Sequence, residues 1–232
     1  MASHALGEKE MKIDGEYIFD APRALVWDAL QDPAVLATIL PGSDGLDTVG
    51  EDEYEGALKI KVGPVQGKFK GHIQITDKVA LESYNMQVDG KGAPGFVKAT
   101  GGIKLTDAED SSKTHMLYTG DAKVGGKIAS VGQRLIDTSA KAIIGQSLEA
   151  LNNYLKVEAA KHTVVEQAAA AGASAEEIEK KVKEEVKEYV APTQAELASK
   201  VASQVASDLN LTPYIIGGIV LLVLIILYFL LF

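Results

Sequence analysis

The sequence predicts an α+β fold: a curved antiparallel sheet gripping one long helix, followed by a helical spacer and a single transmembrane helix. Three observations carry this expectation. Six stretches between Lys12 and Val124 alternate apolar and polar residues at the strand period. Residues 128–156 contain no proline and carry a broad apolar stripe at helical spacing. The last nineteen residues, 214–232, contain no charge. The expected division is a tail at 1–10, a globular domain at 11–160, a spacer at 161–210 and an anchor at 211–232.

The first strand is read from Ile13, Gly15, Tyr17 and Phe19, which alternate with Lys12, Asp14, Glu16 and Asp20. A short helix follows, because Pro22 suits a first helical turn and Leu25, Val26, Ala29 and Leu30 recur at helical spacing until Asp32 and Pro33. A second short helix is expected over 34–40, ended by Pro41 and Gly42. A hairpin comes next. Gly56, Leu58, Ile60 and Val62 form one side, and Val65, Phe69, Ile73 and Ile75 the other, across Gly63 and Pro64. Further strands fit 81–89, 96–106 and 114–124, and the alternation implies a sheet with one covered face. The helix at 128–156 supplies the cover, with Ile128, Leu135, Ile136, Ile143, Leu148, Leu151 and Leu155 on its apolar side.

Beyond Lys161 the composition turns to Ala, Glu, Lys and Val. Two helices are expected there, since Ser174 with Glu177 and Thr193 with Glu196 match capping boxes and Pro192 separates them. Their thin apolar lines suit a semi-rigid spacer or pairing with a partner helix. At ~1.5 Å per residue, 214–232 nearly cross a ~30 Å hydrocarbon core, and 211–213 complete the span. Residues 1–10 lack the basic start and apolar run of a secretory signal. The expected placement is therefore a single C-terminal pass in the cytoplasmic membrane, with the soluble domain on the cytoplasmic side.

Composition excludes several functions. There is no cysteine, which removes disulfides, thiolate metal sites and a cysteine nucleophile. A net charge of −9 argues against nucleic acid, whose phosphates need a Lys/Arg excess. The four histidines, at 4, 72, 115 and 162, are scattered, and no phosphate loop or dinucleotide fingerprint is present. No catalytic residues, metal or covalently bound cofactor are expected. What remains is space: Gly15, Gly56, Gly67, Gly71 and Gly120 fall on the inward face, where small residues either let the sheet bend or leave an apolar cavity.

One further signal is a resemblance. The stretches Phe19-Asp20-Ala21-Pro22 through Val26-Trp27-Asp28-Ala29-Leu30, Asp32-Pro33, Leu40-Pro41-Gly42, Val62-Gly63-Pro64 to Phe69-Lys70-Gly71, and Gly126-Lys127-Ile128-Ala129 to Gly132-Gln133-Arg134-Leu135-Ile136 occur in order. Together they resemble the CoxG family of carbon monoxide dehydrogenase proteins. The resemblance implies a START-like helix-grip fold of the SRPBCC type and a non-catalytic accessory role beside a molybdenum-containing carbon monoxide dehydrogenase or related hydroxylase. It also implies a link to the membrane and to a respiratory quinone such as menaquinone. The expectation is a carrier of that quinone between bilayer and enzyme. The alternative is a pure recruitment tether. An enzyme acting on an aromatic ligand would need a buried polar pair in the cavity. Candidate lining residues are Tyr17, Phe19, Leu58, Ile60, Phe69, Ile73, Met86, Phe96, Met116, Tyr118, Leu135, Ser139 and Ile143. Residues 90–96 are read either as a mobile gate plugged by Phe96 or as a rigid turn.

Overall fold

The computed structural model describes residues 8–109 and 111–170. The chain divides into two units, 1–192 and 193–232, and every described residue belongs to the first. The expected anchor at 211–232 and most of the expected spacer at 161–210 lie outside the described residues. Among those described, no helix is long and apolar enough to cross a membrane.

Seven antiparallel strands form one sheet: β1 (Lys9–Phe19), β2 (Ser43–Gly50), β3 (Glu53–Val62), β4 (Val65–Val79), β5 (Ser83–Gly92), β6 (Gly95–Ala108) and β7 (Lys113–Gly125). Their spatial order is β1-β7-β6-β5-β4-β3-β2, so β1 and β2 are the two edges. Between them in sequence come α1 (Arg23–Gln31) and α2 (Pro33–Ile39), which carry the chain from one edge to the other. The second helix, expected over 34–40, runs one residue earlier: Pro33 opens it, and the Asp32 side chain accepts a hydrogen bond from the Ala34 N–H at 2.8 Å. A short 3-10 turn (Lys127–Val131) then leads into α3 (Gln133–Ala170), which contacts β1 and β3.

Alternation places one face of the sheet inward. Along β1 the exposed and half-buried residues strictly alternate until Phe19, which is fully buried. The inward face does not make one core, however. A larger cluster joins Phe19, Trp27, Tyr54, Tyr84, Leu105 and Met116 to Leu151 and Leu155 of α3. A smaller one joins Val62, Phe69, Val124 and Ile128 to Ile136 near the start of α3. Between Ile136 and Leu151 no residue of α3 is buried. The long helix is therefore held near two points with a loosely packed band between them.

Two departures from expectation concern elements. Residues 43–50 form β2, although Asp44, Gly45, Asp47 and Gly50 read as turn formers; pairing with β3 overrides that local preference and leaves register shifts at both ends. The helix read as 128–156 begins as a 3-10 turn, restarts after Gly132 at φ +95°, and continues to Ala170.

Candidate functional site

An apolar cavity of about 200 Å³ lies under β3, β4 and β5. Leu58, Ile60, Phe69, Ile73, Val88 and Val97 wall it from the sheet, and Leu40, just after α2, with Ser43, Gly45 and Leu46 at the start of β2 close it. It touches both cores, since Leu46 and Ile73 flank the larger cluster while Ile60, Phe69 and Val97 belong to the smaller. Ser43 alone among the lining residues has a polar side chain, and its hydroxyl oxygen accepts from the Gly45 N–H at 3.2 Å. The lining holds no acid, base or nucleophile poised for chemistry.

Three glycines stand in register across this part of the sheet: Gly56 opposite Gly71, and Gly71 opposite Gly90. They do not serve one purpose. A Cβ at Gly56 would run into the Gly45 carbonyl, so that glycine permits β2 to lie close. A Cβ at Gly71 would meet nothing within 4 Å, and at Gly90 the nearest atom would be 3.7 Å away. Backbone packing does not require glycine at either. Their missing side chains are the missing volume. By contrast a Cβ at Gly120 would press on the Thr100 carbonyl at 2.7 Å, which is close strand packing. Both readings of the inward glycines thus hold, at different positions.

Of the expected lining residues, the structure gathers Leu58, Ile60, Phe69 and Ile73 around this cavity. Tyr17, Phe19, Met86, Met116 and Tyr118 instead pack in or against the larger core, with the Tyr17 and Phe19 rings 4.8 Å apart. Tyr118 also lies over Gly15 and borders a separate groove of about 500 Å³ between β1 and α3. Leu135 packs on Gly63 at the hairpin tip, against the smaller core. Ser139 and Ile143 are half-buried on the loose band of α3 and line no part of the cavity. Phe96 belongs to the other face: it stands opposite exposed Lys91, whereas Val97 stands opposite buried Gly90, and its ring covers Gly125. The segment 90–96 is a tight hairpin, paired up to Gly92 and Gly95. Leu40, Leu46, Val88 and Val97 join the lining without having been expected there. For Val88 and Val97 the strand alternation is signal enough, while 40–46 lie outside any expected strand.

The outer face is polar. His72 lies 3.7 Å from Glu53, and His115 lies 3.0 Å from Glu16, both on that face. Among the described residues no group of side chains is arranged to hold a metal ion. Burial raises the Tyr84 hydroxyl above its ordinary pKa, with Tyr54 adding to the effect, so it stays protonated where its ring meets Trp27 edge-on at 5.9 Å.

Residues 15–156 match the family described as the CoxG subunit of carbon monoxide dehydrogenase. The chain belongs to the CoxG family. A conserved protein from Geobacillus kaustophilus is 34% identical, with a TM-score of 0.60 over 63% of this chain and 95% of that one. The Zhui aromatase/cyclase from Streptomyces sp. R1128 is 15% identical, with a TM-score of 0.50 over 64% and 94%. That likeness concerns the fold. A START superfamily protein from Mycobacterium smegmatis is 9% identical with a TM-score of 0.49, over 62% and 97%. No curated protein matches the sequence. The seven-stranded antiparallel sheet followed by a long C-terminal helix has the arrangement that the family resemblance implies.

Proposed function

We propose that this CoxG protein is a membrane-anchored, non-catalytic accessory protein of a molybdenum hydroxylase of the carbon monoxide dehydrogenase type. In this reading it carries a respiratory quinone, such as menaquinone, between the cytoplasmic membrane and the enzyme. The observation that carries the reading is the apolar cavity floored by Gly71 and Gly90, where glycine answers no packing need. Apolar surface in water costs ~25 cal/mol per Å², so moving a prenyl chain out of a bilayer requires an apolar sleeve. An uncharged C-terminal stretch at 214–232 would keep such a carrier at the membrane.

Size sets a limit on how the ligand sits. Pockets for drug-sized ligands run to ~300–1,000 Å³, and this one measures about 200 Å³. It receives one part of a prenylquinone. The remainder follows the half-buried band of α3, where the two cores leave the sheet and helix poorly packed.

The test is organic extraction of the full chain purified from membranes, followed by mass spectrometry. Near-equimolar quinone is the expected result, while a protein that comes out empty leaves recruitment as its role. Gly71→Leu locates the site. It fills the cavity from an open position, and replacing a mid-strand glycine removes a penalty of ~0.5–1 kcal/mol relative to alanine. Quinone content should fall to background while the ligand-free thermal midpoint rises. Equal loading of the variant would move the site elsewhere.

A further inference from the structure

On a chain of net charge −9, one end of the sheet's outer face gathers lysines. Lys59, Lys61, Lys68, Lys70, Lys91 and Lys98 crowd the end bearing the β3–β4 and β5–β6 hairpins. The opposite end, at the turns joining β2 to β3, β4 to β5 and β6 to β7, carries Glu51, Asp52, Asp77, Glu82 and Glu109, of which Asp52 pairs with Lys78 and Glu109 with Lys113. Within the basic end two like-charged pairs face each other directly across strands, Lys59 opposite Lys68 and Lys70 opposite Lys91. Such pairs destabilise a sheet unless an acid bridges them, and among the described residues none bridges Lys70 and Lys91.

Only part of this charge is answered within the fold. Asp44 bridges the first pair, at 2.9 Å from Lys59 and 2.6 Å from Lys68, and Asp89 lies 3.4 Å from Lys91 and 3.6 Å from Lys98. Lys61 and Lys70 make no ion pair among the described residues. The position of Asp44 matters. It sits between Ser43 and Gly45, at the start of β2, which closes one side of the apolar cavity.

We propose that the lysine-rich end of the outer face docks on an anionic lipid leaflet, bringing the cavity wall at 40–46 to the headgroups. The inference rests on the reading of this chain as a membrane-bound carrier. Three observations favour lipid over an acidic protein. The cargo chamber is apolar apart from Ser43, its wall is pinned to the same lysines, and the sequence holds an uncharged stretch of bilayer length. The lysine-rich end also gives the domain a preferred orientation in the field of a negative surface. Lipid phosphates compete with Asp44 for Lys59 and Lys68, which loosens the segment 40–46, where Gly42 and Gly45 hold positive φ.

The chain has no cysteine, so the test uses single-cysteine variants of the full chain in vesicles. Gln66→Cys, at the basic end, carries an environment-sensitive dye, and exposed Thr106→Cys, toward the other end of β6, is the control. With phosphatidylglycerol in the vesicles, a headgroup-bound quencher should reach the Gln66 label and not the Thr106 label. In pure phosphatidylcholine, or at high salt, neither should be reached. Taking ~1 kcal/mol per lysine at an anionic surface as about fivefold, Lys61→Gln with Lys70→Gln should lower the docked ratio about 25-fold. Asp44→Asn should raise it.

Equal quenching at both positions, or quenching indifferent to lipid charge, overturns the proposal. So does a label that lipid leaves unchanged and purified dehydrogenase shields, which assigns the face to an acidic protein. Failure of the unlabelled chain to float with any vesicle overturns both the docking and the anchor reading. Quinone content, read separately by extraction, reports on carriage.

Discussion

The Asp20 N–H donates to Asn152 Oδ1 at 2.8 Å, and the Asn152 amide returns a bond to Asp20 Oδ2 at 3.2 Å. Asn152 is only 8% exposed, so this pair fastens α3 to the end of β1 from inside the larger core. Asn152→Ala leaves the Asp20 N–H without its partner, and the unfolding free energy should drop by ~1–3 kcal/mol in a denaturant titration. Lys156 first, and then Asn152, hold the Asp20 carboxyl below its ordinary pKa. A lowered carboxylate stabilises the fold above its unfolded pKa of ~3.9 and loses that contribution as pH falls through the folded value. The side chain is 39% exposed, so screening keeps the effect within ~1 kcal/mol. Asp20→Asn should accordingly flatten the decline of the thermal midpoint below about pH 4. At this scale the sequence is legible where period alone decides, as at Leu58, Ile60, Phe69 and Ile73. It misleads at Phe96, where the chemistry of an aromatic side chain suggests a plug and strand parity puts Val97 inside instead. Asn152 is invisible in the sequence, because nothing in a helical stripe announces a partner 132 residues away.

Among the elements, α3 makes the sharpest distinction. Leu151 and Leu155 are each 1% exposed and Ile136 is 5% exposed, whereas everything between Ile136 and Leu151 is half-buried or exposed. Leu151→Ala should cost ~2–5 kcal/mol, the range for truncating a fully packed leucine. Ile143→Ala, on the loose band, should cost less than ~1 kcal/mol. Equal penalties in denaturant titrations would mean that the middle of the helix packs as firmly as its grips, and would remove the space proposed for the rest of the ligand. The helix itself is readable from its apolar stripe, but its division into two holds is not. That division follows from the two separate clusters on the sheet, to which Ile136 and Leu151 with Leu155 belong, and not from the helical stripe alone. The unexpected strand β2 has a similar cause: its ladder to β3 is a long-range property, and its own residues argue for a turn.

For the whole molecule, the order of strands and helices is legible because six alternating runs, one long apolar stripe and five ordered motifs agree on a single arrangement. The cavity volume is not, because it is a difference between two surfaces that no single element specifies. The same separation makes the anchor testable. Residues 8–170 hold the two hydrophobic clusters and the seven strands described, and the uncharged stretch at 214–232 lies outside them. A chain ended after Asn210 should lose resistance to high salt and carbonate washing and stay in the supernatant. Its thermal midpoint and its capacity to take up quinone from detergent should match those of the full chain. Delivery should change in kind rather than only in amount. A tethered carrier meets the bilayer at an effective concentration set by its linker, on the order of millimolar, whereas a released one meets it at its bulk concentration. Quinone transfer out of vesicles should thus become proportional to added protein after truncation, while loading of the full chain from its own vesicle stays insensitive to dilution. Transfer that scales identically for both would show that the C-terminal stretch takes no part in delivery, even if it holds the protein to a membrane.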